Sequence, residues 1–224
     1  MAAHIGVEVN VDLARGDARS AVPEWAKDNN VDLIVMGSVG LDGAALMVLG
    51  SVAEAVTRKS PCPILITHKQ LPEKRKTKFS RVLCAADLTD LTERVVSVAQ
   101  AVCDEAGEIE VLHALPIPHV SIMQEALTGI ESEWHKAVED ARGSAAGKLE
   151  ALEEKLSDSR ISTYLAEGKA SREILERHNE KKADLLVVGA HDKKDTDVAD
   201  RVLGSTAERL LHGADVPVLV VPHE

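Results

Sequence analysis

The feature that most constrains this chain is a short apolar run followed by glycines and the start of a helix. Residues 33–36 are apolar and form a run short enough for a buried strand. Gly37 and Gly40 follow that run, and Gly50-Ser51 then opens a segment with helical spacing. Glycines let backbone N–H groups approach an anion, and a helix N-terminus adds unpaired donors and a positive dipole end. The pattern therefore predicts a phosphate-binding loop.

The same pattern occurs a second time in the chain. Asp184–Gly189 repeats Asp32–Gly37, and Gly168 precedes its loop by the same number of residues as Gly16 does. The chain therefore contains an internal repeat, whose second loop is slightly longer than the first. The other corresponding positions are Gly50-Ser51 with Gly204-Ser205 and Pro63 with Pro217.

These residues resemble the nucleotide loop of the universal stress protein family, in which many members bind ATP or AMP. The resemblance implies a complete domain over residues 81–224 and the C-terminal half of a first domain over residues 1–69. Residues 70–80, which are polar and basic, are then the linker. The expected fold is α/β, an open parallel five-stranded sheet with helices on both faces (adenine-nucleotide alpha-hydrolase-like), as one complete and one half repeat.

Apolar runs alternate with helically spaced segments through the complete repeat. Four strand–helix pairs and a last strand are typical of a parallel sheet with right-handed crossovers. The predicted strands span residues 81–86, 109–115, 160–167, 184–189 and 216–221. The predicted helices span residues 91–105, with Asp90 as the N-cap, and then 129–156, 171–181 and 204–212.

The half repeat predicts fewer elements. Residues 5–13 alternate between apolar and polar side chains and predict a strand. Residues 21–29 predict a helix with Pro23 in its first turn and Trp25 in contact with the core. A strand over 32–36, a helix over 51–59 and a strand over 64–67 follow.

Composition and charge exclude several classes of function. The net charge of -11 disfavours nucleic acid and anionic membranes as partners. An odd count of three cysteines, without metal spacing, predicts reduced thiols and a cytoplasmic protein. No run is long enough to span a membrane. The nine histidines show no ligand spacing, and His113, late in a strand, is expected to be a satisfied residue at the edge of the core.

The resemblance assigns nucleotide-binding residues in both repeats. In the second repeat, Asp87 ends the first strand, where a carboxylate contacts the nucleotide in the family, and Ala85 and Ala86 line the same pocket through their backbone. Asp192 replaces the second loop glycine, and its Cβ disfavours the positive φ that glycine adopts. The remaining expected residues are Gly189, Gly204, Ser205 and Thr206 in the second loop and Gly37, Gly40, Gly50 and Ser51 in the first.

Three functions follow from these observations. The leading expectation is a regulatory, stress-linked protein that binds ATP, with an accompanying Mg, or AMP, without an efficient reaction of its own. The alternatives are a nucleotide-independent interaction module and a slow ATPase, for which no general base is identifiable. The expected partners are the nucleotide and either a homodimer or an intramolecular pseudo-dimer through the last strands, Pro63–Thr67 and Pro217–Val221. A truncated two-repeat protein would give the same sequence.

Overall fold

The structure is a computed structural model that describes residues 8–39, 49–68, 78–117, 131–190 and 203–223. The described helices are α1 (Ala18–Asp28), α2 (Ser51–Lys59), α3 (Leu91–Val102), α4 (Glu131–Leu156), α5 (Ala170–Lys181) and α6 (Ser205–Gly213). The described strands are β1 (Ile34–Gly37), β2 (Ile64–Thr67), β3 (Phe79–Ala86), β4 (Cys103–Leu115), β5 (Ile161–Glu167), β6 (Leu185–Gly189) and β7 (Val218–Val221).

All the described strands belong to one sheet, in the order β1-β2-β7-β6-β3-β4-β5. The predicted α/β class is confirmed. Its strand count differs, because the five expected parallel strands β3–β7 are extended by β1 and β2 into a seven-stranded sheet. Two apolar clusters cover the faces of this sheet: one contains residues of α1, α2, α5 and α6, and the other contains residues of α3 and α4. Helices therefore lie on both faces, as predicted.

The only antiparallel pair in the described sheet joins β2 to β7. Its register places Ile64 opposite Val220 and Ile66 opposite Val218. These four side chains are no more than 1% exposed. Each of the two strands also has a parallel neighbour on its other side, β1 for β2 and β6 for β7. The last strands of the two repeats therefore pair within one chain.

The strand predicted over residues 5–13 is wrong for its described part, residues 8–13, which form no strand. Val9, Val11 and Leu13 are 54%, 94% and 88% exposed. In the repeat this segment corresponds to β5, which is held by β4 along its whole length. No described strand of the N-terminal segment corresponds to β4. The alternating pattern is present, but the strand that would pair with it is missing.

Two predictions for the first helix are also wrong. The helix begins at Ala18 because Asp17 caps it, with Oδ1 accepting a hydrogen bond from the Arg19 N–H at 3.0 Å. Pro23 therefore lies in the second turn. Trp25 is 43% exposed and donates its indole N–H to Asp12 Oδ2 at 2.8 Å, so it does not pack in the core.

The predicted elements of the complete repeat are found with shifted ends. The helix after Asp90 ends at Val102 and the next strand begins at Cys103, earlier than residue 109. On the long helix Ala145, Leu149 and Leu152 are buried, and Ala141 is exposed. Residues 129 and 130 lie outside the described part of the chain.

Stability is expected to fall as the pH drops below about 6.5, the ordinary pKa of histidine. His68 follows β2, is buried, and its ring nitrogens have no partner among the described residues. Burial lowers the pKa of His68, although the nearby Asp215 carboxylate acts in the opposite direction. The unfolded chain therefore takes up this proton before the folded chain does, so stability is complete above the ordinary pKa and is lost as the pH falls toward the lowered one.

Thermal unfolding measured between about pH 7.5 and pH 5.5 tests this expectation. His68→Leu, which cannot titrate, is expected to have a flatter dependence of Tm on pH than the natural chain. Equal slopes for the two proteins would show that His68 does not titrate on unfolding.

Candidate functional site

A cavity of about 390 Å³ lies at the carboxyl ends of β3, β4 and β6, and we call it the β3–β6 cavity. From β3 the chain crosses to β4 on one side, and from β6 it crosses to β7 on the other. Ligands in open α/β sheets bind in the crevice that this reversal of strand order creates. The cavity is lined by Ala85, Ala86, Asp87, Leu91, Thr92, Val95, Leu112, His113, Ala114, Pro116, Ala170, Ile174, Val188, Gly189, Gly204, Ser205, Thr206 and Ala207.

Seven residues predicted from the second repeat line this one cavity. They are Ala85, Ala86, Asp87, Gly189, Gly204, Ser205 and Thr206. The parallel pairing of β3 with β6 brings their ends together, with Ala85 opposite Val188. Asp192, predicted to disturb this loop, lies outside the described residues.

Asp87 organises the turn that leads from β3 into α3. Its Oδ1 accepts hydrogen bonds from the Thr89 N–H at 3.0 Å, the Thr89 hydroxyl at 2.6 Å and the Thr92 hydroxyl at 3.2 Å. Asp90, predicted as the N-cap, has helical backbone angles and makes no capping bond through its side chain. The carboxylate that fixes the start of α3 is therefore Asp87, which is exposed at the mouth of the cavity.

Gly189 ends β6 where α3 passes close above it. A Cβ at this position would lie 2.5 Å from Leu91 Cδ2, much closer than two carbon atoms approach each other. The glycine is therefore required by the packing of β6 against α3, whether or not an anion binds nearby.

The first turn of α6 supplies backbone donors to the cavity. Gly204 is the N-cap, with φ -59° and ψ 144°, and its carbonyl accepts from the Glu208 N–H at 2.9 Å. The N–H groups of the first helical turn have no partner within the helix. Ser205 and Thr206 lie in that turn and line the cavity, where their hydroxyls add further donors. This arrangement suits an anion.

His113 is a cavity residue that the sequence analysis did not select. It lies opposite Ala86 in the pairing of β3 with β4, and its Nδ1 is 2.9 Å from the Ala86 carbonyl oxygen. A carbonyl only accepts, so Nδ1 donates, and in the neutral ring Nε2 is left as an acceptor. His113 was expected to be a satisfied histidine at the edge of the core, and this expectation holds for Nδ1, which donates to Ala86. His113 lies at a strand end beside Ala86, and this position is the signal that would have identified it as a cavity residue.

The first loop lies elsewhere. Gly37 ends β1, Gly50 is the N-cap of α2, and Ser51 begins that helix. Gly50 donates its N–H to the Ser38 carbonyl at 2.7 Å, and a Cβ on Gly50 would lie 3.1 Å from the same oxygen. Gly37, Gly50 and Ser51 do not line the β3–β6 cavity.

The first loop also lacks the neighbour that completes the second one. No described strand lies on the outer side of β1, so nothing there corresponds to β3 and Asp87. Gly40 lies outside the described residues. The described residues contain no cluster of three or more histidine, cysteine, aspartate or glutamate side chains suited to a metal ion. Among the described helices, none combines the length and apolar character needed to span a membrane.

The fold and the position of the cavity define the class as an open α/β sheet protein with a cavity at the switch point of the strands. A model of the universal stress protein family matches residues 1–68 and 78–222. The chain therefore belongs to the universal stress protein family.

Individual relatives agree with this assignment. The chain is similar to a universal stress protein of Mycobacterium tuberculosis, 26% identical over 194 residues, which are 86% of this chain and 62% of the relative. It is 42% identical over 67 residues to the Bacillus subtilis universal stress protein YxiE, covering 30% of this chain and 45% of that protein. A crystal structure of a universal stress protein from Archaeoglobus fulgidus has the same fold, with a TM-score of 0.69, 23% identity, and coverage of 100% of this chain and 73% of that one. The chain thus spans less than two thirds of the mycobacterial relative.

Replacing Gly189 with alanine is expected to lower the free energy of unfolding by about 1–3 kcal/mol, because the new Cβ overlaps Leu91. Gly147 is the matched control: it lies within α4 with no atom within 4 Å of a built Cβ. Gly147→Ala is expected to raise stability by roughly 0.5–1 kcal/mol.

Urea unfolding of both variants measures these changes. Adding Leu91→Ala removes the overlapping side chain. The double variant should therefore lose less free energy of unfolding than the sum of the losses of the two single variants. An unchanged unfolding midpoint for Gly189→Ala would contradict the packing explanation.

Proposed function

We propose that this universal stress protein binds an adenine nucleotide, ATP or AMP, in the β3–β6 cavity. The observation that carries the proposal is the juxtaposition of apolar walls with the open N-terminus of α6 in one cavity. A volume of about 390 Å³ lies within the usual range of small-molecule sites. The resemblance stated from the sequence implies the same class of ligand.

The base is assigned to the apolar part of the cavity. Leu112, Ile174 and Val188 contribute side chains there, from β4, α5 and β6. All three are buried, and they offer a flat ring a surface from which water is excluded. His113 adds one hydrogen-bond acceptor at the same end of β4. An acceptor suits an exocyclic amino group, which adenine has.

The sugar and phosphates are assigned to the mouth of the cavity. Asp87 is an exposed carboxylate, and carboxylates accept hydrogen bonds from ribose hydroxyls. The phosphates would lie against the N–H groups and hydroxyls of Ser205 and Thr206, where the positive end of the α6 dipole favours negative charge. Gly204 leaves the approach to these donors without a side chain. A Mg ion would accompany ATP through its phosphates.

The two parts of the chain are assigned different roles. Residues 81–224 would be the complete nucleotide-binding domain, residues 70–80 the linker, and residues 1–69 half of a first domain. No described strand lies beside β1 to complete a purine pocket, so the first loop would bind phosphate weakly through Gly37, Gly40, Gly50 and Ser51. The half domain would instead serve as the pairing partner of the last strand through β2.

The proposed role is regulatory binding in the stress response rather than turnover, in the cytoplasm. The three cysteines support that location, because all of them are buried as free thiols, as a reducing compartment allows. A nucleotide-independent interaction module is the alternative that the β2–β7 pairing favours, because a strand surface mediates contact there without any ligand. Slow ATP hydrolysis is the least favoured reading. It was expected at the first loop, and it predicts phosphate release that Gly50→Asp abolishes.

The decisive variant is Ser205→Asp, tested by isothermal titration with ATP, ADP and AMP. An aspartate in the first turn stabilises a helix through its dipole but repels a phosphate held at the same turn. The nucleotide Kd is expected to rise at least about tenfold, equivalent to about 1.4 kcal/mol, while Tm stays equal or rises. Loss of binding therefore cannot be explained by loss of folding.

Ser51→Asp is the matched control, because Ser51 begins α2 as Ser205 begins α6. Because Ser51 does not line the β3–β6 cavity, this variant is expected to leave the nucleotide affinity of that cavity unchanged. Absence of heat with the natural chain at millimolar nucleotide would remove the nucleotide proposal and leave the interaction module. Binding by Ser205→Asp as tight as by the natural chain would place the site elsewhere.

A further inference from the structure

A second cavity, of about 250 Å³, lies at the amino ends of β3 and β5, and we call it the amino-end cavity. On α5 the two cavities lie at opposite ends, because Ile174 lines the β3–β6 cavity and Lys181, the last helical residue, lines this one. The two cavities share no lining residue. The walls of the amino-end cavity include Arg81, Leu83, Glu108, Ser162, Lys181 and Ala183.

An irregularity in the sheet shapes this cavity. The pairing of β3 with β4 is interrupted after Phe79 and resumes with Arg81 opposite Glu108, so a short piece of β4 bulges out of the ladder. Gly107 lies in the bulge, where a Cβ would be 2.6 Å from Cys103 Sγ. Bulges often lie beside binding sites, where they direct side chains. This bulge sets Arg81 and Glu108 side by side on neighbouring strands.

Ion pairs hold the surroundings of these two side chains in place. Arg160 pairs with Asp158 at 2.7 Å. Arg177 of α5 donates hydrogen bonds to both carboxylate oxygens of Glu110, at 2.7 and 2.8 Å. Both pairs are largely buried. The charges of Arg160 and Glu110 are therefore balanced within the protein, and the wall that they form is rigid.

Three other charges of the cavity are available to a ligand. Arg81 and Glu108 are exposed, and neither forms an ion pair with another side chain in the described part of the chain. Lys181 is 52% exposed, and its Nζ is 3.6 Å from the Glu110 oxygen to which Arg177 already donates. Alternate residues of a strand share a face, so Glu108 projects toward α5 as Glu110 does. Two positive charges and one negative charge therefore face the cavity.

We propose that the amino-end cavity binds an acidic α-amino acid, aspartate or glutamate. Arg81 binds the α-carboxylate, because a guanidinium group can hold a carboxylate through two parallel hydrogen bonds. The ammonium group of the ligand lies against Glu108, and its side-chain carboxylate lies against Lys181. Such a ligand carries two negative charges and one positive charge, which is the reverse of the charges that the cavity presents.

The size and the floor of the cavity suit the same ligand. A volume of about 250 Å³ equals that of about eight water molecules at roughly 30 Å³ each, which is close to the size of an amino acid. Leu83 and Ala183, which are 1% and 5% exposed, form an apolar floor for the methylene groups. The Ser162 hydroxyl offers a further hydrogen bond. An anion without an ammonium group would instead leave Glu108 facing a like charge.

Isothermal titration of the natural chain with aspartate, glutamate, asparagine and succinate tests this proposal. Asparagine lacks the second carboxylate and succinate lacks the ammonium group. Each is expected to bind at least about tenfold more weakly than aspartate, which corresponds to about 1.4 kcal/mol. Absence of heat with both acidic amino acids at millimolar concentration, or equal affinities for aspartate, asparagine and succinate, would overturn the proposal.

Two variants assign the preference to particular side chains. Glu108→Gln should abolish the preference for aspartate over succinate, and Lys181→Gln should abolish the preference for aspartate over asparagine. Both side chains are exposed, so Tm should stay unchanged while the aspartate Kd rises at least about tenfold. Lys148→Gln is the matched control, because Lys148 is an exposed residue of α4 outside the cavity, and it should bind aspartate as the natural chain does. An unchanged aspartate Kd in either cavity variant would contradict the assignment.

Discussion

The antiparallel pairing of β2 with β7 is the contact on which the rest of this structure depends. The described part of the N-terminal segment contributes two strands and two helices, too few to enclose a core of their own. By pairing with β7, β2 extends the sheet of the complete repeat, and its Ile64 and Ile66 enter the same apolar cluster as Val218 and Val220. The segment is thus stabilised by joining an existing sheet.

The candidate site depends on another neighbouring pair in the same sheet, β3 and β6. The β3–β6 cavity forms because β3 and β6 are parallel neighbours whose following connections diverge. That divergence exposes the carboxyl ends of both strands and the first turn of α6 at one place. In the N-terminal segment no described strand lies on the outer side of β1, so Gly50 and Ser51 have no described counterpart of β3 and Asp87 beside them.

Local signals predicted the elements of the second repeat, and several of the residues they selected line the β3–β6 cavity. An apolar run ending in Gly189 and a Gly-Ser pair before a helical segment are short-range patterns, and the resemblance to a family added Asp87. These residues converge in the structure because parallel strands present their carboxyl ends on one edge. The resemblance implied pairing of the last strands, either between two chains or within one, and the structure shows it within one chain.

Two of the features that were missed, the unpaired residues 8–13 and the position of His113, depend on partners distant in the sequence. Residues 8–13 have the alternation of a strand, but alternation does not create the neighbour that a strand needs. Asp90 satisfies a capping pattern, yet Thr89 and Thr92 donate their hydrogen bonds to Asp87, only a few residues away. His113 became a cavity residue only when β4 was placed beside β3. A sequence pattern shows which structure a segment is able to form, and the neighbouring strands determine whether it forms.

Amide hydrogen exchange at residue resolution tests the central claim most directly. The amides of Ile64 and Ile66 face β7, because the odd-numbered residues of β2 face β1. The structure predicts that these two amides exchange as slowly as those of Val218 and Val220, because all four open only when the sheet separates. Exchange of Ile64 and Ile66 as fast as the exposed residues 8–13, with β6 still protected, would contradict the single-sheet account.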